Sequence, residues 1–198
     1  MHARQAWLRT ALFLCLTLPP GRAAGAQALP RVTIQTELGS LEVEIDTIRA
    51  PVTGGNFLSY VDQGAYRGGS FHRTVRADNQ AERRVKIEVI QGGLDSSRVK
   101  DFPPIPLERT SESGLTHQDG AISMARDGPD TATADFFICI GPQPELDFGG
   151  KRNPDGQGFA AFGRVLRGMD VARQIHTARA RDQRLTPPIQ ILNITRVR

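Results

Sequence analysis

Val32-Thr33-Ile34-Gln35-Thr36, then Gly39-Ser40, then Leu41-Glu42-Val43-Glu44-Ile45: two runs alternate apolar and polar residues on either side of a turn. A period of two places Val32 and Ile34 on one face, and Leu41, Val43 and Ile45 on one face of the second run. This is a β-hairpin that buries one side. Working outward, further strand patterns fall at residues 70–75, 85–91, 120–125, 135–140 and 159–166, and Ile189-Gln190-Ile191-Leu192-Asn193-Ile194 forms a closing strand. Only two segments read as helices. One opens at Pro51 and carries Phe57, Tyr60 and Val61 on one side; the other runs from Met169 to about His176. The 20 Gly and 13 Pro among 198 residues supply the turns that many short strands require. The pattern predicts a mainly β domain, a closed antiparallel barrel plugged at its ends, with no repeat or linker dividing it.

The first 26 residues differ from the rest. His2, Arg4 and Arg9 form a basic start, an apolar run follows from Ala11 to Leu18, Pro19-Pro20-Gly21 breaks it, and Ala24-Gly25-Ala26 supplies small residues. This three-part pattern reads as a secretory signal over 1–26, cleaved before Gln27 or two residues later, leaving one domain over 27–198. The apolar run is too short to span a bilayer, which takes about 20 residues. Bulky Leu14 before Cys15, with an apolar run continuing past it, speaks against a lipid anchor. Three of the 25 basic residues and none of the 21 acids lie in this segment, so the remainder is close to neutral. No nucleic-acid partner is expected from such a balance. The segment also takes away Trp7 and Cys15, leaving Cys139 alone in the apolar run Phe136-Phe137-Ile138-Cys139-Ile140, the setting of a buried structural thiol.

The usual catalytic patterns are missing from the sequence. There is no Gly-x-Ser-x-Gly elbow, and His72, His117 and His176 lack metal-ligand spacing. Gly156-Gln157-Gly158 is half a dinucleotide fingerprint with no helix start behind it. No cofactor and no metal are expected. What stands out is Phe71-His72-Arg73, a cation on a strand, with Val89-Ile90-Gln91-Gly92-Gly93, and Ser123-Met124-Ala125 with Phe136-Phe137. Alternation puts Phe71 and Arg73 on one face, Val89 and Gln91 on another, and turns Phe137 away from Phe136. Taken singly, these are an edge charge and core residues.

Together they are recognisable. Phe71-His72-Arg73, Ile90-Gln91-Gly92-Gly93, Gly120-Ala121-Ile122-Ser123-Met124-Ala125 with Gly128-Pro129, Asp135-Phe136-Phe137-Ile138-Cys139, Glu145-Leu146-Asp147, and Phe159-Ala160-Ala161-Phe162-Gly163-Arg164-Val165 with Gly168-Met169-Asp170 occur in this order across most of 31–198. The chain resembles the cyclophilins, the cyclosporin-type peptidyl-prolyl cis-trans isomerases, most of all their short exported bacterial members. The resemblance implies an eight-stranded barrel capped by two α-helices and an activity on X-Pro bonds. It implies Arg73 as the catalytic hydrogen-bond donor and Gln91 as the residue that orients it. Phe137, Met124, Val89 and Leu146 would hold the proline ring. Arg126 would offer backbone contacts, and Phe71, Ala125 and Phe159 would complete the substrate-binding set.

Several positions depart from the family pattern. Glu145 stands where cyclosporin-sensitive members carry Trp, so weak cyclosporin binding is expected; Phe159 occupies a position often His. Glu88 replaces a common Phe, within salt-bridge reach of Arg73, and Asp135 replaces a common Gln. Arg73 and Gln91 are 18 positions apart, about ten more than in compact members; the extra polar stretch, residues 76–84, reads as a solvated loop or extended hairpin beside the site. The expected protein is a monomeric, exported isomerase acting on proline-containing polypeptides. The rival is a catalytically weak peptide-binding module or holdase, which Glu88 and Asp135 keep open. A barrel holding a small ligand is disfavoured, because the strands carry enough Phe, Ile and Val to fill it.

Overall fold

The computed structural model describes residues 28–95, 97–98 and 102–197. The expected signal segment, residues 1–26, and the first expected cleavage position, before Gln27, lie outside the described residues. The elements run β1 (Arg31–Thr36), β2 (Gly39–Ile45), α1 (Pro51–Asp62), β3 (Ser70–Val75), β4 (Val89–Gly93), α2 (Thr110–Ser113), β5 (Ala121–Met124), β6 (Phe136–Cys139), β7 (Ala160–Arg167), α3 (Met169–Thr177), β8 (Ala180–Arg181) and β9 (Arg184–Arg196). Eight of the strands pair in the order β1-β2-β7-β5-β6-β4-β3-β9, and β9 pairs back onto β1 to close the barrel. Every ladder is antiparallel. The expected barrel is therefore present. It gains one helical turn, α2, and a two-residue strand, β8, that pairs only with β9.

The hairpin reads in the structure as in the sequence: Val32, Ile34, Leu41, Val43 and Ile45 are fully buried on the inner face. The interior is aromatic. Phe57 from α1 meets Phe136 at 5.6 Å and Phe162 at 5.3 Å between ring centroids, and Phe71 meets Phe136 edge-on at 5.8 Å. These rings and the aliphatic side chains around them form one continuous cluster, so the barrel is a packed core and not a cup for a ligand. Helix α1 lies against β7 and β9, and α3 against β2, β3 and β4. The entry to α3 turns on Gly168 at φ +90°, where a Cβ would sit 2.3 Å from the Ser40 carbonyl oxygen. Only glycine fits that turn.

A second, smaller apolar cluster lies on the other side of the sheet. Val75, Ile87, Val89, Ala121, Phe137, Cys139 and Leu146 form it, with Ala125 and Phe159 packed against it. Alternation along β4 and β6 splits neighbours between the two clusters: Ile90 and Phe136 face the core, Val89 and Phe137 the satellite. Cys139 is buried and free, and burial pushes its thiol far above the ordinary range, as expected of a structural cysteine.

Candidate functional site

The satellite cluster floors a cavity of about 580 Å³, whose lining includes Arg73, Val89, Gln91, Ala125, Arg126, Phe137, Leu146 and Phe159. Eight of the ten residues singled out from the sequence thus meet at one site. Phe71 and Met124 do not. Both are buried in the barrel core, 0% and 1% exposed, and neither lines the cavity. For Phe71 the reason is a bulge in β3: Phe71 sits opposite Gly92 but Arg73 sits opposite Gln91, so His72 is an extra residue. The insertion breaks the period of two, so Phe71 faces inward while Arg73 reaches the outer cavity. Met124 packs inward on β5, whose next residue, Ala125, lines the site.

Arg73 is held on two sides by glutamines. Its NH1 donates to Gln91 Oε1 at 2.9 Å, and its Nε and NH2 donate to Gln183 Oε1 at 3.0 and 2.6 Å. A guanidinium has five N–H donors, so one on each terminal nitrogen stays available. Both partners are neutral. Burial lowers the Arg73 pKa from its ordinary value, and the nearby Arg83 charge adds to that. Glu88, which sequence reasoning placed as a competitor for Arg73, pairs with no cation among the described residues; its backbone N–H donates to Gln143 Oε1. Asp135 enters the network through Gln91, whose Nε2 donates to Asp135 Oδ2 at 3.2 Å; His72 Nε2 lies 3.5 Å from the same oxygen. Burial raises the Asp135 carboxyl pKa, opposed by His72 and Gln91.

The apolar floor is rigidly set. Phe137 stacks on His117 at 5.9 Å with planes 14° apart and meets Phe159 edge-on at 5.3 Å. His117 is fully buried between Asp147 Oδ1, 2.6 Å from Nδ1, and Ser123 Oγ, 2.9 Å from Nε2. The Arg126 side chain is fixed rather than free: it grips Asp155 through two bonds of 2.7 and 3.0 Å, donates from Nε to the Gly158 carbonyl at 2.8 Å, and lies over the Phe159 ring at 5.1 Å. It thereby clamps the 153–159 loop that carries Phe159.

Sequence reasoning missed Gln183, Arg83, Ile87 and Arg152. Gln183 lies in the turn between β8 and β9, 110 residues from Arg73, and nothing local marks it. Arg83 and Ile87 follow β3 along the chain; residues 76–84 form a largely exposed loop, as expected, but one anchored at a buried residue, and Arg152 reaches that anchor from the other side of the site. Gln80 is 2% exposed and ties that stretch together: its Nε2 donates to the carbonyls of Arg76 and Ile87 at 2.8 and 2.7 Å, and its Oε1 accepts from Arg152 NH1 at 2.8 Å. So anchored, the segment brings Arg83 and Ile87 into the cavity lining. Among the described residues no three His, Cys, Asp or Glu side chains gather to hold a metal ion. The arrangement offers an apolar slot for a small ring and a fixed cationic donor at its edge.

Comparison with known proteins places this geometry. Residues 31–196 match the family described as cyclophilin type peptidyl-prolyl cis-trans isomerase/CLD. Peptidyl-prolyl cis-trans isomerase A of Dickeya dadantii is 36% identical over 154 residues, covering 77% of this chain and 74% of that protein. A peptidyl-prolyl cis-trans isomerase of Acinetobacter baylyi is 32% identical over 154 residues, 77% of this chain and 75% of its own. Among solved structures, a Cryptosporidium parvum cyclophilin type peptidyl-prolyl cis-trans isomerase superposes with a TM-score of 0.69 at 22% identity, covering 86% of this chain and 98% of that one. The same kind of protein crystallised in the presence of the dipeptide Ala-Pro gives 0.67 at 21% identity, covering 85% and 99%.

Proposed function

The chain belongs to the cyclophilin-type peptidyl-prolyl cis-trans isomerases, and from that membership we propose that the cavity above Phe137 holds the proline ring of a polypeptide while Arg73 assists rotation of the preceding amide. The X-Pro bond is a resonance-stabilised amide with a barrier of about 18–20 kcal/mol. Rotation breaks no covalent bond, so catalysis consists of binding the twisted amide better than either planar form, with about 1.4 kcal/mol for each tenfold in rate. Twisting ends the resonance and returns lone-pair density to the prolyl nitrogen. A guanidinium N–H is a strong donor to that nitrogen, and its planar fork is held in place by two glutamine oxygens. Val89, Phe137, Leu146 and Phe159 supply the apolar slot that fixes the ring.

The single observation that carries this reading is the Arg73 guanidinium, neutral-partnered and with donors to spare, at the edge of an apolar slot. In a cis-trans exchange assay on a short X-Pro peptide, Arg73→Ala should lower kcat/KM by about 10²–10³-fold, the loss typical of one charge-stabilising donor. Equal rates for the two proteins would overturn the role.

The setting is proposed from the sequence. With a basic start, a short apolar run and Ala24-Gly25-Ala26, the chain is an exported monomer that assists folding outside the cytoplasm, in the periplasm or beyond. Protein recovered from an extracytoplasmic fraction should begin at Gln27 or Leu29 on N-terminal sequencing; an intact Met1 there would refute cleavage. Glu145 at the rim, its Oε2 accepting the Lys151 N–H, replaces the aromatic surface expected of a tight cyclosporin binder, so cyclosporin is a weak ligand.

A further inference from the structure

We infer that Arg83 and Arg152, beside Arg73, form a subsite for a carboxylate, so that this isomerase prefers proline segments carrying Asp or Glu within one or two residues of the proline. The inference rests on the isomerase reading and specifies its substrate class. Arg73, Arg83 and Arg152 all line the proline cavity, and Arg83 and Arg152 also line an adjoining hollow with Arg84 and Lys151. The two spaces are therefore continuous through these two arginines.

None of the three guanidiniums is ion-paired among the described residues. Arg73 is bonded to two glutamine oxygens, and Arg152 donates to Gln80 Oε1 and to the Val85 carbonyl at 2.8 and 2.7 Å. Their fields overlap: burial lowers the pKa of both Arg73 and Arg152, and Arg83 lowers each further. Cations gathered this way repel one another and attract an anion into the gap. None of the acids at the same walls lies within ion-pair distance of the three arginines among the described residues. Asp135 is tied to Gln91 and His72, Arg126 is already matched by Asp155, and Glu145 accepts a backbone N–H; Asp127 and Glu82 complete the acidic lining.

The subsite is built by the chain between β3 and β4. Gln80, buried, holds the segment and orients Arg152 in one stroke, and Lys86 Nζ bonds the Ala77 carbonyl at 2.8 Å across its base. Arg83 stands exposed on this anchored frame, its side chain with no hydrogen-bond partner among the described residues.

The test is a peptide series built on one Ala-Pro core, with Ala, Glu or Lys at each of the two positions before and after the proline. Binding (by anisotropy of a labelled peptide) and cis-trans exchange are both measured. Within the wild type, the best Glu peptide should exceed its Ala counterpart by about three- to fivefold, the advantage shrinking at high salt. In Arg83→Glu the Glu-to-Ala ratio should fall to one or below and the Lys peptide should gain; Arg83→Gln is the second variant, expected to level the ratios without inverting them. Ratios near one in the wild type, with neutral peptides still turned over, would overturn the acid preference and leave the isomerase intact. Absence of turnover on every peptide would instead sink the isomerase reading. The acid preference would then stand or fall on the binding ratios alone.

Discussion

Arg73 is held by two amide oxygens where a carboxylate would have bound it more tightly, and the difference bears on catalysis. A carboxylate partner would spread the guanidinium charge into an ion pair and weaken the donor that the proposed mechanism offers to the prolyl nitrogen. Gln91 and Gln183 hold the group in place and leave its charge whole. Gln183 is therefore a positioning residue. Gln183→Ala should lower kcat/KM by about tenfold, or ~1.4 kcal/mol, mostly in kcat, because the slot that binds the proline is untouched. Gln183→Glu separates orientation from charge: it restores a partner oxygen but neutralises the donor, so its kcat should stay low. Recovery of wild-type turnover in Gln183→Glu would show that Gln183 acts only as a prop. The Arg73–Gln91 pair was legible in the sequence through the family motif, but Gln183 was not, because its contact spans 110 residues and its turn has no chemical signature of its own. Phe71 was misplaced for a different reason. Strict alternation assigns it the face of Arg73, and a one-residue bulge leaves no mark in a sequence that still reads as six strand-forming residues.

At the scale of elements, what was legible was whatever burial alone decides. β1 and β2 alternate, bury one face and appear within a residue or two of the predicted bounds. Two strands depart further: β9 begins at Arg184, five residues before the predicted closing strand, and β4 starts at Val89 although the apolar pattern begins at Val85. The backbone groups of 85–87 are spent elsewhere: Arg152 takes the Val85 carbonyl and Gln80 takes both the carbonyl and the N–H of Ile87. Side chains there do the work of a neighbouring strand, and no local pattern announces that. Helix α1 was read from Pro51 in spite of Gly54-Gly55, and the structure supplies two reasons for its stability. Its first N–H groups, at Val52 and Thr53, donate to Glu108 Oε1 and Oε2 at 2.9 and 2.7 Å, a cap delivered from more than fifty residues away. And Gly54 lies where a Cβ would come within 3.2 Å of the Ile45 side chain, so the small residue lets the helix seat closely on the barrel. The same logic explains the segment after β3. Its polarity predicted solvent exposure, which most of its residues have, while buried Gln80 anchors it through the carbonyls of Arg76 and Ile87.

The whole molecule divides its labour across one sheet. Inward residues of β4, β5 and β6 close a packed aromatic core, and their outward neighbours build the slot, so that adjacent positions in the sequence carry different burdens. Phe136 and Phe137 are the sharpest case. Phe136 meets Phe57, Tyr66 and Phe71 edge-on at 5.6–5.8 Å inside the barrel. Phe137 lies across the sheet between His117 and Phe159, at the floor of the outer cavity proposed to hold the proline. In the proposed mechanism bond rotation needs a slot whose shape does not yield, because the Arg73 donor favours the twisted amide over the planar ones only if the ring is held at a fixed distance from it. The core provides that stiffness from behind without touching the substrate. Replacing each ring with Leu should therefore separate the two burdens. Phe136→Leu should lower Tm by several degrees, at about 2–4 °C for each kcal/mol lost in a chain of this size, while the folded protein keeps kcat/KM within about twofold. Phe137→Leu should lose less stability, since its cluster is small, but kcat/KM should fall by about tenfold as the floor of the slot loses its flat wall. Thermal melts and exchange kinetics on the same two variants decide the matter: parallel losses in both quantities would mean that core and slot are one packing unit, and that the sheet between them does not insulate function from stability.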